Sequence, residues 1–137
     1  MTLYHFTSPK HIRGCLAEGL TKGHVPTQLE PPKLASGWQW LTTNEAFQQS
    51  WNTMTNLNYD RTAYRITIEL PLTAKSKVYR WTKKGPKLCK ASTYETLSSQ
   101  GDPENWRLFK GTLRPQWMVD VTAKEGHPAI EIPTSAK

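Results

Sequence analysis

The sequence predicts one α+β domain, and three observations support this fold class. A length of 137 residues is typical of a single domain. Helix signals come early in the chain and strand signals dominate later, which favours an α+β arrangement over a repeating strand–helix array. Six Trp and five Tyr supply bulky apolar material, enough for one packed core. We expect a mainly antiparallel sheet with two or three helices, in a domain spanning residues 1–124.

The chain should begin with a strand and a short helix. A strand is predicted over Thr2–Phe6. Ser8 is suited to cap a helix and Pro9 to occupy its first position, so a helix is expected from there to about Glu18. Gly19 then ends the helix.

A long loop and a second helix are expected next. Residues 21–37 contain three Pro and two Gly, which predicts an irregular loop of a length typical of binding lids. Gln39–Leu41 reads as a strand. The sequence Thr42–Glu45 matches a capping box, which predicts that a helix follows it to about Met54. The apolar face of that helix would contain residues spaced i, i+4 and i+7, namely Phe47, Trp51 and Met54.

The second half of the chain is expected to supply most of the sheet. Apolar and polar residues alternate over Tyr64–Leu70, which is the clearest strand pattern in the sequence. A helix is predicted over Lys87–Leu97. Three more strands are predicted, at Val78–Trp81, Trp106–Phe109 and Trp117–Thr122. Residues 125–137, which include the apolar segment Ala129–Ile132, are expected to form a C-terminal tail or an edge strand.

Positive charge is concentrated in the second half of the chain. The formal net charge is +7, and residues 71–137 contain twelve Lys and Arg against six Asp and Glu. A stretch over residues 75–90 holds no acidic residue, and such a block favours binding to polyanions. Interleaved Tyr79 and Trp81 are candidates to stack on bases, although a solvated hairpin is the simpler interpretation. The residues predicted to contact nucleic acid are Lys77, Arg80, Lys83, Lys84 and Lys87.

The sequence favours a cytoplasmic, monomeric protein without a metal site. No apolar run reaches the length of about 18 residues that a membrane span needs, and the first residues do not read as a secretory signal. Cys15 and Cys89 are therefore expected to be free thiols. The four His and two Cys lack the spacing of metal ligands.

Four short segments suggest where chemistry is located. The first is Leu3–Ser8, a His-bearing strand that precedes a helix and a Gly-Leu pair. The second is Trp40–Thr43, a strand that ends in two hydroxyl residues. The third is the strand Tyr64–Ile68. The last is Glu104–Phe109, which is followed by a glycine turn and another strand.

The order of these segments resembles the ADP-ribosyltransferase-like superfamily, in particular its compact, nucleic-acid-modifying toxin branch and the RNA 2′-phosphotransferases. The resemblance implies a split sheet and NAD as the substrate. It also implies that Glu104 is catalytic, because a carboxylate near the ribose stabilises the oxocarbenium-like transition state. The NAD pocket would be lined by His5, Thr7, Trp40 and Thr42.

Three functions remain open from the sequence. The first is transfer of ADP-ribose from NAD to a macromolecule, with nucleic acid favoured over protein because of the basic stretch. The second is a catalytically inactive relative that binds and inhibits a partner protein. Asp102 stands where related motifs carry Glu or Gln, and this departure supports the second function. The third is a non-enzymatic, basic nucleic-acid-binding protein.

Overall fold

The computed structural model describes residues 1–47 and 61–132. Within those ranges it contains eight strands and three α-helices, together with three short 3₁₀ helices at Leu72–Lys77, Pro103–Asn105 and Pro115–Trp117. The strands and helices, in chain order, are β1 (Thr2–Thr7), α1 (Ile12–Glu18), β2 (His24–Gln28), β3 (Lys33–Ser36), β4 (Trp38–Thr42), β5 (Tyr64–Glu69), β6 (Val78–Arg80), α2 (Trp81–Leu88), α3 (Ala91–Ser98), β7 (Trp106–Lys110) and β8 (Met118–Ala123).

Six strands form one sheet in the order β6-β7-β4-β1-β5-β8, and every neighbouring pair is antiparallel. The predicted small α+β domain with a mainly antiparallel sheet and few helices is confirmed. Long ladders join β1 to β5 and β4 to β7, whereas β1 meets β4 through the single pair Tyr4–Thr42. The sheet therefore separates between β1 and β4 beyond this pair. No helix within the described ranges is long and apolar enough to cross a membrane.

Apolar side chains cover both faces of the sheet. On one face, α1 packs against the central strands through Ile12 and Leu16, which join a cluster with Ile66 and Leu41. On the other face, α2 and α3 cover an aromatic cluster. Its buried members are Val25, Trp38, Trp81, Cys89, Trp106 and Leu108. The alternation of side chains along β4 sends Leu41 to the first cluster and Trp38 to the second.

Helix α1 begins later than the sequence predicts. The backbone carbonyl of Ser8 accepts hydrogen bonds from the amides of His11 and Ile12, so residues 9–11 form a turn before the helix. The Ser8 side chain does not cap the helix, because its hydroxyl has no hydrogen-bond partner. Gly19 ends the helix as predicted, with φ of 85°.

The segment 21–37, predicted to be an irregular loop, instead contains the antiparallel hairpin β2–β3. Its stability comes from tertiary contacts rather than local propensity. Val25 is fully buried in the aromatic cluster, and the Thr27 carbonyl accepts a hydrogen bond from the Lys90 amide. The Cys89 thiol donates to the Pro26 carbonyl across 3.2 Å. These contacts link the hairpin to the turn between α2 and α3.

Two helix predictions also need correction. The helix expected over Lys87–Leu97 is two helices, α2 and α3, interrupted at Cys89 and Lys90. The capping-box residues 42–45 do not start a helix within the described part of the chain, where residues 43–47 are irregular. Thr42 Oγ1 instead accepts from the Asn44 amide, and Asn44 Oδ1 accepts from the Ala46 amide. Trp51 and Met54 lie outside the described residues.

The C-terminal segment is an ordered tail up to residue 132, with no strand in the described part. Ile130 and Ile132 pack against the first core cluster. The Tyr64 hydroxyl donates to the Pro128 carbonyl across 2.8 Å, which fixes the tail over the start of β5. The core of the domain thus extends slightly beyond residue 124.

We predict that Gly19→Ala lowers the free energy of unfolding by about 2 kcal/mol or more. The φ of 85° with ψ of −173° is a conformation that side chains rarely adopt, and an added Cβ would meet the Leu113 carbonyl oxygen. Gly14→Ala is the matched control, because nothing lies near its added Cβ and alanine favours helix α1 by up to about 1 kcal/mol. Urea unfolding measures the free energy of unfolding of both variants. Equal stabilities of the two variants would contradict the prediction.

Candidate functional site

A cavity of about 660 Å³ opens where β1 and β4 separate. Its walls come from both strands, from helix α1, and from the segment 19–24 that follows the helix. Trp106 at the start of β7 closes one side. A hollow of this volume is in the range that accepts cofactors and other small molecules.

The structure brings four predicted pocket residues together in this cavity. His5 and Thr7 reach it from β1, and Trp40 and Thr42 reach it from β4. About thirty-five positions separate the two pairs in sequence, so local structure does not impose their meeting. It follows from the separation of the two strands, which exposes side chains of both to one space.

Glu104, predicted to be catalytic, does not belong to the residues that line the cavity. It is exposed on the 3₁₀ helix Pro103–Asn105, two residues before the lining residue Trp106. The end of β4 holds this segment: the Thr43 amide donates to the Asn105 carbonyl across 2.9 Å. Glu104 therefore lies on a segment that borders the Thr42 end of the cavity.

Asp102 ties the same segment to the end of β4. Its Oδ2 accepts hydrogen bonds of 2.9 Å from the side-chain amides of Asn44 and Asn105. Burial alone would raise the pKa of Asp102, but the hydrogen bonds from Asn105 and Asn44 outweigh it and the pKa is lowered. The carboxylate is thus ionised and serves as a bridge between two loops.

His5 is held in one orientation and in its neutral form. Its Nδ1 lies 2.8 Å from the Trp40 carbonyl oxygen, which only accepts hydrogen bonds, so Nδ1 carries the proton. Burial lowers the pKa of His5 most, the bond to Trp40 opposes this, and the charge of Arg61 lowers it further. Nε2 of the neutral ring is then a hydrogen-bond acceptor, suited to a hydroxyl or amide donor of a ligand.

The charges around the cavity favour an anionic ligand. Among the described residues, the lining side chains include three cations and two imidazoles besides His5, against one carboxylate, that of Glu18. The basic members of this set were not predicted from the sequence, because they lie in unrelated segments of the chain. They are Lys10, His11, Lys22, His24 and Arg61.

Trp40 belongs both to the cavity and to the aromatic core. Its ring lies 4.9 Å from Trp81 and 5.8 Å from Trp106, centroid to centroid. Its indole nitrogen donates to the His24 carbonyl across 2.9 Å. The ring is therefore fixed before any ligand binds, and its half-buried surface contributes a rigid aromatic wall.

Gln39 is a buried residue that sequence reasoning did not select. Its side-chain oxygen accepts from the Gly23 amide and its nitrogen donates to the Gly111 carbonyl, each across 3.0 Å. Gln39 thereby holds the 19–24 wall of the cavity against β4. The sequence did carry a signal for a buried polar residue here, because Gln39 lies between Trp38 and Trp40 in a predicted strand.

The predicted nucleic-acid-binding residues lie on consecutive elements at the β6 edge of the sheet, and we call this stretch the lysine face. Lys84 differs from the others, because its ammonium packs over the rings of Trp38 and Tyr79 at 5.6 and 5.0 Å. Trp81 cannot stack on bases as expected, since it is fully buried and its indole donates to Ser98 Oγ. The exposed members of this lysine face are Lys77, Arg80, Lys83 and Lys87.

Comparison with known proteins gives no match for this chain. No family model matches it, and no curated protein or solved structure matches it either. Across residues 1–47 and 61–132, no three His, Cys, Asp or Glu side chains are grouped so as to hold a metal ion. The cavity and the lysine face are therefore the features from which a function is inferred.

We predict that the free energy of unfolding falls as the pH drops below about 6.5, and that part of this fall disappears in His5→Gln. The pKa of His5 is lowered in the folded protein, so the unfolded chain takes up the proton first. The loss from one such group is at most about 1.4 kcal/mol per pH unit. Denaturant unfolding between pH 7.5 and pH 5 measures it, with His24→Gln as a control on an exposed histidine. Identical pH dependence in wild type and His5→Gln would contradict the prediction.

Proposed function

We propose that this protein binds NAD in the cavity between β1 and β4 and transfers ADP-ribose to a nucleic acid. One observation carries the proposal: His5, Thr7, Trp40 and Thr42, selected as NAD-pocket residues from sequence motifs, line one cavity of suitable size. The excess of positive over negative side chains around the cavity supports it, because the pyrophosphate of NAD is anionic.

Each kind of lining group suits one part of NAD. The neutral His5 ring offers Nε2 as an acceptor for a ribose hydroxyl. The fixed Trp40 ring offers a surface for a planar base or for nicotinamide. Lys10, Lys22 and Arg61 supply positive charge for the pyrophosphate.

The proposed reaction breaks the bond between nicotinamide and the ribose carbon C1′. Nicotinamide leaves with the bonding electron pair, and positive charge develops on the ribose. An oxygen or nitrogen of the acceptor then bonds to C1′ and gives up a proton. Glu104, on the segment beside the Thr42 end of the cavity, would stabilise the developing charge and accept that proton.

The lysine face supplies the reason to favour a nucleic acid as the acceptor. Lys77, Arg80, Lys83 and Lys87 are exposed on consecutive elements, from the 3₁₀ helix Leu72–Lys77 through β6 to α2. This arrangement suits contacts to the phosphate backbone, which depend on charge and not on sequence. Trp81 is buried and the Tyr79 ring packs against Trp38 and Lys84, so the contribution of the face is electrostatic.

A second function is favoured by the position of Glu104. A catalytic carboxylate is expected within the pocket, yet Glu104 is not a lining residue, and Asp102 is engaged with Asn44 and Asn105. These placements suit a catalytically inactive relative that keeps the nucleotide pocket and binds a partner protein. Binding of NAD without transfer would distinguish this function from the first.

We predict that Glu104→Gln reduces ADP-ribosyl transfer at least about a hundredfold and leaves NAD affinity nearly unchanged. His5→Ala should instead weaken NAD binding about tenfold, because it removes contacts made before the reaction. The measurement is incubation with labelled NAD and RNA, DNA or protein lysate, paired with calorimetric NAD titration. Glu95→Gln, an exposed carboxylate on α3, is the matched control. Full transfer by Glu104→Gln would remove Glu104 from the mechanism, and NAD binding with no labelled product would favour the inactive relative.

We predict that the double variant Lys83→Glu, Lys87→Glu weakens nucleic-acid binding and makes it less dependent on salt. The slope of the logarithm of the binding constant against the logarithm of salt concentration should become shallower by about one unit for each phosphate that the variant no longer neutralises. Both side chains are exposed on α2, so the fold should survive the change. Lys84 is left intact because it packs on Trp38 and Tyr79.

The control for this double variant is Arg13→Glu with Lys33→Glu, which makes the same change of charge elsewhere on the surface. Fluorescence anisotropy at several salt concentrations measures the slope for both proteins. Equal salt slopes for the two variants would mean that the lysine face does not bind the acceptor.

A further inference from the structure

A second, smaller hollow of about 250 Å³ adjoins the main cavity. It lies at the end of β1, between the turn that precedes α1 and the start of the segment leading into β5. His5, Thr7 and Trp40 line both hollows, so one ligand can occupy the two together. Of the other side chains that line it, His11 and Arg61 also border the main cavity, whereas Ser8 belongs to the smaller hollow alone.

The Ser8 hydroxyl is the unusual feature of this hollow. Ser8 is only 2% exposed, and its Oγ has no hydrogen-bond partner. Buried hydroxyls are almost always hydrogen-bonded, because leaving one unpaired costs stability. An N-cap role does not explain it, since α1 starts at Ile12 and its N-cap residue is His11. A group that enters the hollow and accepts a hydrogen bond would provide the missing partner.

The charge of the hollow indicates what kind of acceptor it would take. Arg61 contributes a guanidinium close enough to His5 for its charge to act on that ring. His11 adds an imidazole, and no carboxylate occurs among the described residues that line the hollow. A guanidinium, an imidazole and a hydroxyl donor together suit a group with several anionic oxygens.

We propose that the Ser8–His11–Arg61 hollow is the subsite for a phosphoryl group of the bound nucleotide. Ser8 donates its hydroxyl hydrogen to one phosphoryl oxygen, and Arg61 supplies the countercharge. The inference rests on the proposed function for the nucleoside part of the ligand, which it places in the main cavity against His5 and Trp40. It adds that the phosphoryl group strengthens binding through its contacts with Ser8 and Arg61.

The test compares adenosine with its 5′-monophosphate, which differ by one phosphoryl group, and adds inorganic phosphate and NAD as reference ligands. Adenosine, adenosine 5′-monophosphate, inorganic phosphate and NAD are titrated calorimetrically into the full-length chain. Wild type is expected to bind the monophosphate at least about tenfold more tightly than adenosine. Ser8→Ala and Arg61→Gln should each lower the ratio of the two affinities by about fivefold or more. The matched controls, Ser36→Ala on β3 and Arg13→Gln on α1, are exposed residues outside both hollows and should retain it.

Thermal unfolding keeps the test informative if a variant changes stability. Ser8→Ala deletes a hydroxyl that has no partner, so the variant should fold at least as stably as wild type without ligand. The monophosphate should raise the melting temperature of wild type and of Ser36→Ala, and raise that of Ser8→Ala much less. An equal rise in all three proteins would overturn the subsite.

The outcomes separate this inference from the proposed function. Equal affinity for adenosine and its monophosphate would overturn the subsite even if NAD labels an acceptor. Inorganic phosphate that binds as tightly as the monophosphate would also overturn it, because the site would then not belong to a nucleotide pocket. A phosphoryl effect that depends on Ser8, without any product from NAD, would support the subsite and contradict ADP-ribosyl transfer.

Discussion

The hydrogen bond between His5 Nδ1 and the Trp40 carbonyl oxygen joins two strands where their own pairing has ended. Beyond Tyr4 and Thr42, β1 and β4 diverge, and a backbone carbonyl facing the gap would otherwise lack a partner in the protein. The imidazole reaches across and satisfies it. This one contact fixes the ring tautomer and spans the gap between the two strands. The cavity and the smaller hollow beside it both depend on that separation.

The tryptophans in the described part of the chain serve packing more than recognition. Trp38, Trp81 and Trp106 are buried in one cluster, where Trp81 also stacks on Tyr94. Trp40 extends from this cluster to the cavity, where Trp106 also forms part of the wall. A wall that is anchored in a packed aromatic core loses little conformational entropy when a ligand binds to it.

Local patterns in the sequence were sufficient for strands whose alternation is regular. The β5 strand was predicted within one residue, because buried and more exposed side chains alternate along Tyr64–Glu69. The β7 strand was also predicted within one residue, although Leu108 and Phe109 are both buried. The β2–β3 hairpin was missed because its stability depends on partners outside the segment. Val25 packs into the aromatic cluster, and the Thr27 carbonyl accepts from the Lys90 amide. Ser8 and Arg61 were missed for a related reason: their proximity depends on the tertiary course of the chain, which no local spacing reveals. The motif order did identify four cavity residues, yet it did not predict that Glu104 would be outside the lining.

The Cys89 thiol connects the β2–β3 hairpin to the turn between α2 and α3 through the Pro26 carbonyl. Burial raises the pKa of Cys89, so the sulfur keeps the proton that this bond requires. Cys15, by contrast, is half-buried at the main cavity, and its pKa is also raised by burial. The two free thiols therefore differ in what exposes them to an electrophile. Cys15 lines the main cavity and is open to whatever diffuses into it, whereas Cys89 is 8% exposed and bonded to the Pro26 carbonyl. Covalent modification of Cys89 would break that bond and record a loosening of the hairpin from the helices.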